Sequence, residues 1–201
     1  MFTPNRTEGA AEINIMRFGA LRSIATFTWL GMQLPAMAAP VSVNATAGMA
    51  FAGEAVNVAL LEIRNDVTAH VAIAAAAGYL DVAAGRGEGQ LRLMAIGTWS
   101  IPGWTLDNRH MLSLSTQSVE RYRMRARVVR PELFGFPTLS ARAFDEVFVD
   151  LDGAGFIRNN VALGVGFEFH RAVLAELYRV WEGNHGAPDD RYLLGLVTVR
   201  F

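Results

Sequence analysis

The sequence predicts an all-β fold: a single antiparallel transmembrane β-barrel of about ten strands behind a cleavable export signal. Three observations predict it. The chain opens with a charged, then apolar, leader that ends in small residues. No later apolar run is long enough for a spanning helix, and apolar and polar residues alternate repeatedly across the remainder.

In the leader, Arg17 and Arg22 supply a positive start and Ile24–Leu34 an apolar run too short to cross a bilayer as a helix. Ala36-Met37-Ala38 then gives a small-x-small cleavage pattern. Cleavage after Ala38 starts the mature chain at Ala39, because cleavage one residue later would put Pro40 beside the scissile bond. An uncleaved leader would act instead as a membrane anchor. Residues 1–15 precede a signal that has its own Met16 and read as a start codon placed too early. The expected organisation is therefore 1–15 outside the fold, 16–38 signal peptide and 39–201 one barrel domain.

Composition excludes some functions. The 201 residues carry a formal net charge of −1, so no general attraction to nucleic acid is expected. Without cysteine the chain has no disulfide, thiolate metal site or thiol nucleophile. All 18 cationic side chains are arginine and none is lysine, a bias that reads as genomic base composition.

Beyond residue 40 the longest nearly uncharged apolar stretch, Val71 to Leu80, has half the length a spanning helix needs. A period of two takes over. Leu91, Leu93, Ala95, Gly97, Trp99 and Ile101 share one face, opposed by Gln90, Arg92, Thr98 and Ser100. Arg121, Arg123, Arg125 and Arg127 oppose Tyr122, Met124, Ala126 and Val128; a helix would scatter these arginines around its circumference. Val161, Leu163, Val165, Phe167 and Phe169 form a third apolar face, and Leu193, Gly195, Val197, Val199 and Phe201 a fourth. A barrel strand needs this pattern, with one face against lipid and one toward the lumen. Turn residues such as Gly53-Glu54, Asn65-Asp66, Pro102-Gly103 and Asp152–Gly155 divide the chain into segments. These lie near 41–51, 56–65, 68–82, 89–101, 106–116, 119–130, 138–151, 156–169, 172–182 and 190–201, with eight or twelve strands as the alternatives. Gly85-Arg-Gly-Glu-Gly89 resembles a phosphate loop but lacks a strand-to-helix context, and reads as a flexible turn. Trp99, Trp104, Tyr122, Tyr79, Tyr178 and Trp181 fall near strand ends, as an interfacial aromatic girdle would.

Several of these stretches together resemble a known family. Glu120-Arg-Tyr-Arg-Met-Arg-Ala-Arg127 with Pro131 after it, Asp145-Glu-Val-Phe148, Asn160 to Phe169 ending Gly164-Val-Gly-Phe-Glu-Phe169, and the closing Leu-Val-Thr-Val-Arg-Phe201 are similar to DUF2490 proteins. Ala77-Gly-Tyr79 is a weaker echo in the first half. The resemblance covers about the C-terminal half. It implies an exported bacterial protein and an outer-membrane barrel in a Gram-negative-type envelope, and it supplies no catalytic residues and no cofactor.

The arginine row is the candidate site. If Tyr122–Val128 present their apolar face to lipid, Arg121, Arg123, Arg125 and Arg127 point into the lumen, where carboxylates must answer them. Glu146, Asp150, Glu168, Glu176 and Glu62 are the candidates on other strands. Two readings stand open: a lining that passes or grips a small anionic solute by paired guanidinium contacts, or a structural arginine–carboxylate ladder that fills a narrow barrel. The expected partners are outer-membrane lipid, such a solute, and the barrel-insertion machinery, which would read the terminal aromatic Phe201; no nucleic acid is expected. A soluble periplasmic barrel that binds an apolar ligand is the rival, with the alternation turned inside out. A lipid-modifying hydrolase is the third possibility, using His110 with Ser113 or Ser115 and Glu120. The odd spacing of His110 from both serines puts them on opposite faces of a regular strand, and His70, His170 and His185 lack metal-ligand spacing.

Overall fold

The computed structural model describes residues 41–201 apart from 53, 83–85, 117–120, 152, 154 and 187. The export signal and its cleavage site lie outside the described residues. Ten strands run in chain order: β1 (Val41–Ala52), β2 (Glu54–Asp66), β3 (Val71–Val82), β4 (Arg86–Ile101), β5 (Trp104–Ser115), β6 (Arg121–Arg130), β7 (Leu139–Asp150), β8 (Gly155–His170), β9 (Val173–Asn184) and β10 (Asp190–Arg200). Each pairs antiparallel with its neighbour in sequence, and β1 pairs with β10, so the sheet closes into a barrel. Among the described residues the only helical element is one 3-10 turn, Leu133–Gly135. Gly87 and Gly89, expected in a turn, belong instead to the start of β4.

Closure satisfies every strand edge, which is what lets strands cross hydrocarbon without orphaned backbone groups. Phe201 joins the closing seam, its N–H donating to the Val43 carbonyl at 2.9 Å. Ten strands about 4.8 Å apart and tilted by about 40° give a barrel roughly 20 Å across between opposite backbones. Twelve-residue strands at that tilt stand about 30 Å tall, enough for the hydrocarbon core of a bilayer.

The outer wall is apolar. Ile73, Leu91, Leu93, Leu163, Val165, Leu177, Leu193 and Val197 all stand exposed on it, with Leu163 56 % accessible. Exposed aromatics collect toward the two rims: Trp99, Trp104, Phe167, Phe169 and Phe201 near the rim that carries the start of β1 and the end of β10, and Phe51, Tyr79, Phe156 and Trp181 toward the other. Trp99 lies over Gly97, where a Cβ would come within 2.4 Å of its ring, so the glycine is what lets the indole lie flat. Phe134 and Phe136 stand exposed in the 131–138 connection, in which Glu132 and Phe134 both adopt positive φ.

Alternate residues face inward and bury two apolar clusters. One is Ala72, Ala74, Ala76, Met94, Ile96 and Met111; the other is Phe144, Ala162, Tyr178 and Val180, packed by Tyr192, Leu194 and Leu196. Tyr178 is thus a lumen residue and not part of the girdle, because it shares the inward parity of Glu176 and Val180. Between these clusters the interior is charged. That arrangement, oily outside and ionic inside, is the reverse of what a soluble barrel for an apolar ligand needs.

Candidate functional site

All four arginines of the row project from β6 into the lumen, in register with alternate residues of β5 and β7. Arg123 Nη2 donates to Glu146 Oε1 at 2.9 Å, while its guanidinium carbon lies 4.4 Å from the Phe148 ring centre. Arg158 covers the same ring at 4.1 Å and pairs with Glu182 at 3.2 Å, so Phe148 is held between two cations. Arg127 binds Asp107 on β5 and lies 3.8 Å from Glu176 on β9. Arg121 sits opposite Asp150 in the β6–β7 register, near the far rim.

Other inward residues extend the network. Arg109 lies 3.6 Å from both Asp107 and Glu62, reaching from β5 to β2. Of the two strands it passes, β4 carries the inward Met94 and Ile96, while β3 carries only the small Ala72, Ala74 and Ala76 on that stretch. Arg142 on β7 crosses β8 in the same manner. It donates to Ser140 Oγ at 2.9 Å and to Glu176 Oε1 at 2.6 Å, and it rests over Gly166, where a Cβ would lie 2.3 Å from its Nε. Tyr178 donates its hydroxyl to Glu176 at 2.7 Å and lies against Gly164. Long side chains therefore bridge strands that are two or three apart, Arg142 doing so over the small Ala162, Gly164 and Gly166 of β8.

Glu146 and Glu176 meet the row itself, whereas Glu168 does not. It pairs with Arg200 at 3.0 Å, both about half exposed at the rim, because its position near the end of β8 places it far along the strand from the arginines. Glu62 answers Arg109 rather than a member of the row. Parity along β4 and β5 carried the missing members: Arg92 shares the face of Gln90, and Asp107 and Arg109 share that of Ser113.

The pairing is incomplete at one level. Arg92, Arg109, Arg123, Arg125, Arg127 and Arg142 occupy the central interior with Glu62, Asp107, Glu146 and Glu176, six cations against four anions. Arg125 stands directly opposite Arg109 across the β5–β6 pairing. Among the described residues it forms no direct ion pair: Glu146, opposite it across the β6–β7 pairing, is bound by Arg123 instead, and the Arg125 guanidinium lies 5.8 Å from the Phe144 ring centre. Arg92 donates, among the described residues, to the Gln90 amide oxygen alone, at 2.7 and 3.2 Å, and Gln90 in turn donates to Glu88 at 3.1 Å. The buried Nε groups of Arg109, Arg123 and Arg125 have no hydrogen-bond acceptor among the described residues.

The hydrolase candidates are not brought together. His110 faces outward and is hydrogen-bonded to Tyr122; Ser113 and Ser115 face the lumen, with Ser115 bound to Glu88 and the buried Ser113 hydroxyl lacking a partner among the described residues. Glu120 lies outside the described residues.

A closed, outwardly apolar, inwardly ionic ten-stranded barrel defines the class: a transmembrane β-barrel of the outer-membrane type. Solved structures similar to it include a KdgM porin in complex with disordered oligogalacturonate (8 % identity, 80 % of this chain and 99 % of that one, TM-score 0.48). The translocator domain of the autotransporter NalP from Neisseria meningitidis (13 %, 90 % and 98 %, 0.45) and LpxR from Salmonella typhimurium (11 %, 73 % and 73 %, 0.45) are others. At such scores nothing about activity passes from them to this chain. No protein-family model and no curated protein matches it, so the DUF2490 resemblance stands on its strand-and-turn motifs alone.

Proposed function

We propose that the protein sits in the outer membrane of a Gram-negative-type bacterium and holds small anionic solutes at mid-height in its lumen, letting them through a narrow slot rather than a wide pore. The observation that carries this reading is that, among the described residues, Arg92 and Arg125 have no carboxylate in direct contact, while Arg109 stands opposite Arg125. Like charges set opposite each other on a sheet repel. A buried guanidinium without a carboxylate in contact also loses hydration that its remaining contacts replace only in part. A phosphate- or carboxylate-bearing solute relieves both, since its oxygens match the forked donors of arginine. A wall-to-wall distance of about 20 Å, reduced by side chains from both sides, leaves a slot of roughly 5–10 Å, suited to a small ion with part of its hydration shell.

The test is conductance and reversal potential of the purified protein in planar bilayers. Wild type is expected to prefer chloride over potassium. Arg125→Gln and Arg92→Gln are each expected to reduce that preference, and the double variant to abolish it. Absence of channels, or a selectivity indifferent to both substitutions, would make the arginines a scaffold and refute the proposal.

A further inference from the structure

At mid-height the outer wall is mostly carbon, with the outward His110 of β5 bonded to Tyr122, yet β7 and β9 each carry a formal charge there. Asp145 and Arg179 both stand exposed on the outside, flanked by exposed Val161, Leu163 and Leu177. Each is the seventh residue of a twelve-residue strand whose first residue lies at the same rim, so the two share one height near the middle of the hydrocarbon. A lipid-facing charge there is costly.

Within one chain the two charges do not meet. β8 separates them, Asp145 pairing with Val161 and Val161 with Trp181, which leaves Arg179 two residues off that line. Two strand spacings alone hold the backbones about 10 Å apart. Among the described residues neither side chain has an ion pair or hydrogen bond. The wall thus carries a positive and a negative charge at equal height, one on each side of an apolar strand.

This pattern is self-complementary. A half-turn about an axis that runs along the membrane normal in front of β8 exchanges the two sides of the patch and leaves heights unchanged. Asp145 then faces the position of Arg179 in the rotated copy, and the reverse holds on the other side. Unequal heights would forbid such a match, and a copy related by an axis in the membrane plane would be inserted upside down. The curvature of the wall opens a widening gap on either side of β8, which the long arginine side chain can span. We propose that the β7–β9 face docks a second copy of this chain, with Asp145 of each protomer bound to Arg179 of the other and Val161 and Leu163 packed at the axis. The proposal needs only the membrane location and is independent of what the lumen holds.

Because the chain has no cysteine, single cysteines report the contact directly. Leu163→Cys lies at the proposed axis; Ile73→Cys, on β3 five strands away and equally exposed, is the control. In native outer membranes under oxidant, the Leu163→Cys protein is expected to form a covalent dimer and the Ile73→Cys protein to remain monomeric. On the Leu163→Cys background, Asp145→Arg or Arg179→Asp alone should lower dimer yield tenfold or more, and the two together should restore it. The milder Asp145→Asn and Arg179→Gln cover the chance that a swap fails to insert, and heat-modifiable gel mobility reports folding in every case. Equal cross-linking at positions 73 and 163, adducts of a mass other than twice the chain, or no rescue in a folded double swap would each overturn the proposal. So would swaps that shift the unfolding midpoint and leave the cross-link yield unchanged, since that is the mark of a pair within one chain.

Discussion

Glu176 joins the β5–β6 part of the interior network to the β7–β9 part, and neutralising it should separate buried from exposed ion pairing by a measurable margin. Its Oε1 accepts from Arg142 at 2.6 Å and from the Tyr178 hydroxyl at 2.7 Å, with Arg127 at 3.8 Å, and its side chain is only 6 % exposed. Glu176→Gln keeps the shape and one acceptor oxygen but removes the charge that answers two guanidiniums. Breaking a buried pair from one side costs about 3–5 kcal/mol, and the lumen's contact with water argues for the lower end, about 3 kcal/mol. That is about a hundredfold in the folding equilibrium. Glu168→Gln is the matched comparison: its pair with Arg200 has a similar length, 3.0 Å, but both side chains are about 45 % exposed, so the loss should be about 0–1 kcal/mol. Urea unfolding in lipid vesicles, followed by tryptophan fluorescence and by gel mobility, measures both. Equal losses for the two variants would refute the claim that burial, rather than bond length, sets the value of these pairs.

Three further outcomes are expected. Gly166→Ala should displace the Arg142 guanidinium, which a Cβ would approach to 2.3 Å, and cost about 1–3 kcal/mol in the same assay; a neutral result would show that the arginine moves aside freely. Leu93→Arg places a cation in the exposed apolar wall and should cost about 2–4 kcal/mol in vesicles, while a loss under 1 kcal/mol would contradict a lipid-facing position. Phe201→Ala removes the exposed terminal aromatic and should lower the folded yield in the outer membrane with little effect on refolding in detergent; unchanged yield in cells would show that the insertion machinery does not read it.

The barrel was legible because a strand between lipid and lumen writes its two environments in alternate letters. β4, β6, β8 and β10 show this plainly, and their bounds fall within three residues of those the turns predict. β9 hides it, since Arg179 stands on the outward face and Tyr178, Val180 and Leu174 on the inward one; the blurred alternation is why Tyr178 reads as a girdle residue from sequence. Partners were harder than faces. Parity places the row of β6 in the lumen, but nothing local says that Arg142 crosses β8 to reach Glu176, or that Arg109 crosses two strands to reach Glu62. Those pairings depend on register across several strands and on small residues beneath the bridge. Sequence distance carries neither, and so Glu168 was as reasonable a candidate as Glu176 until height along the strand separated them.

The nine links between strands are one to eight residues long, and the longest lies at the rim where the chain enters and leaves the sheet. Eight of them have five residues or fewer, so the strands hold most of the chain from residue 41 onward. With so little chain outside the staves, the side chains that face the bore are held in height and direction by the closed sheet itself.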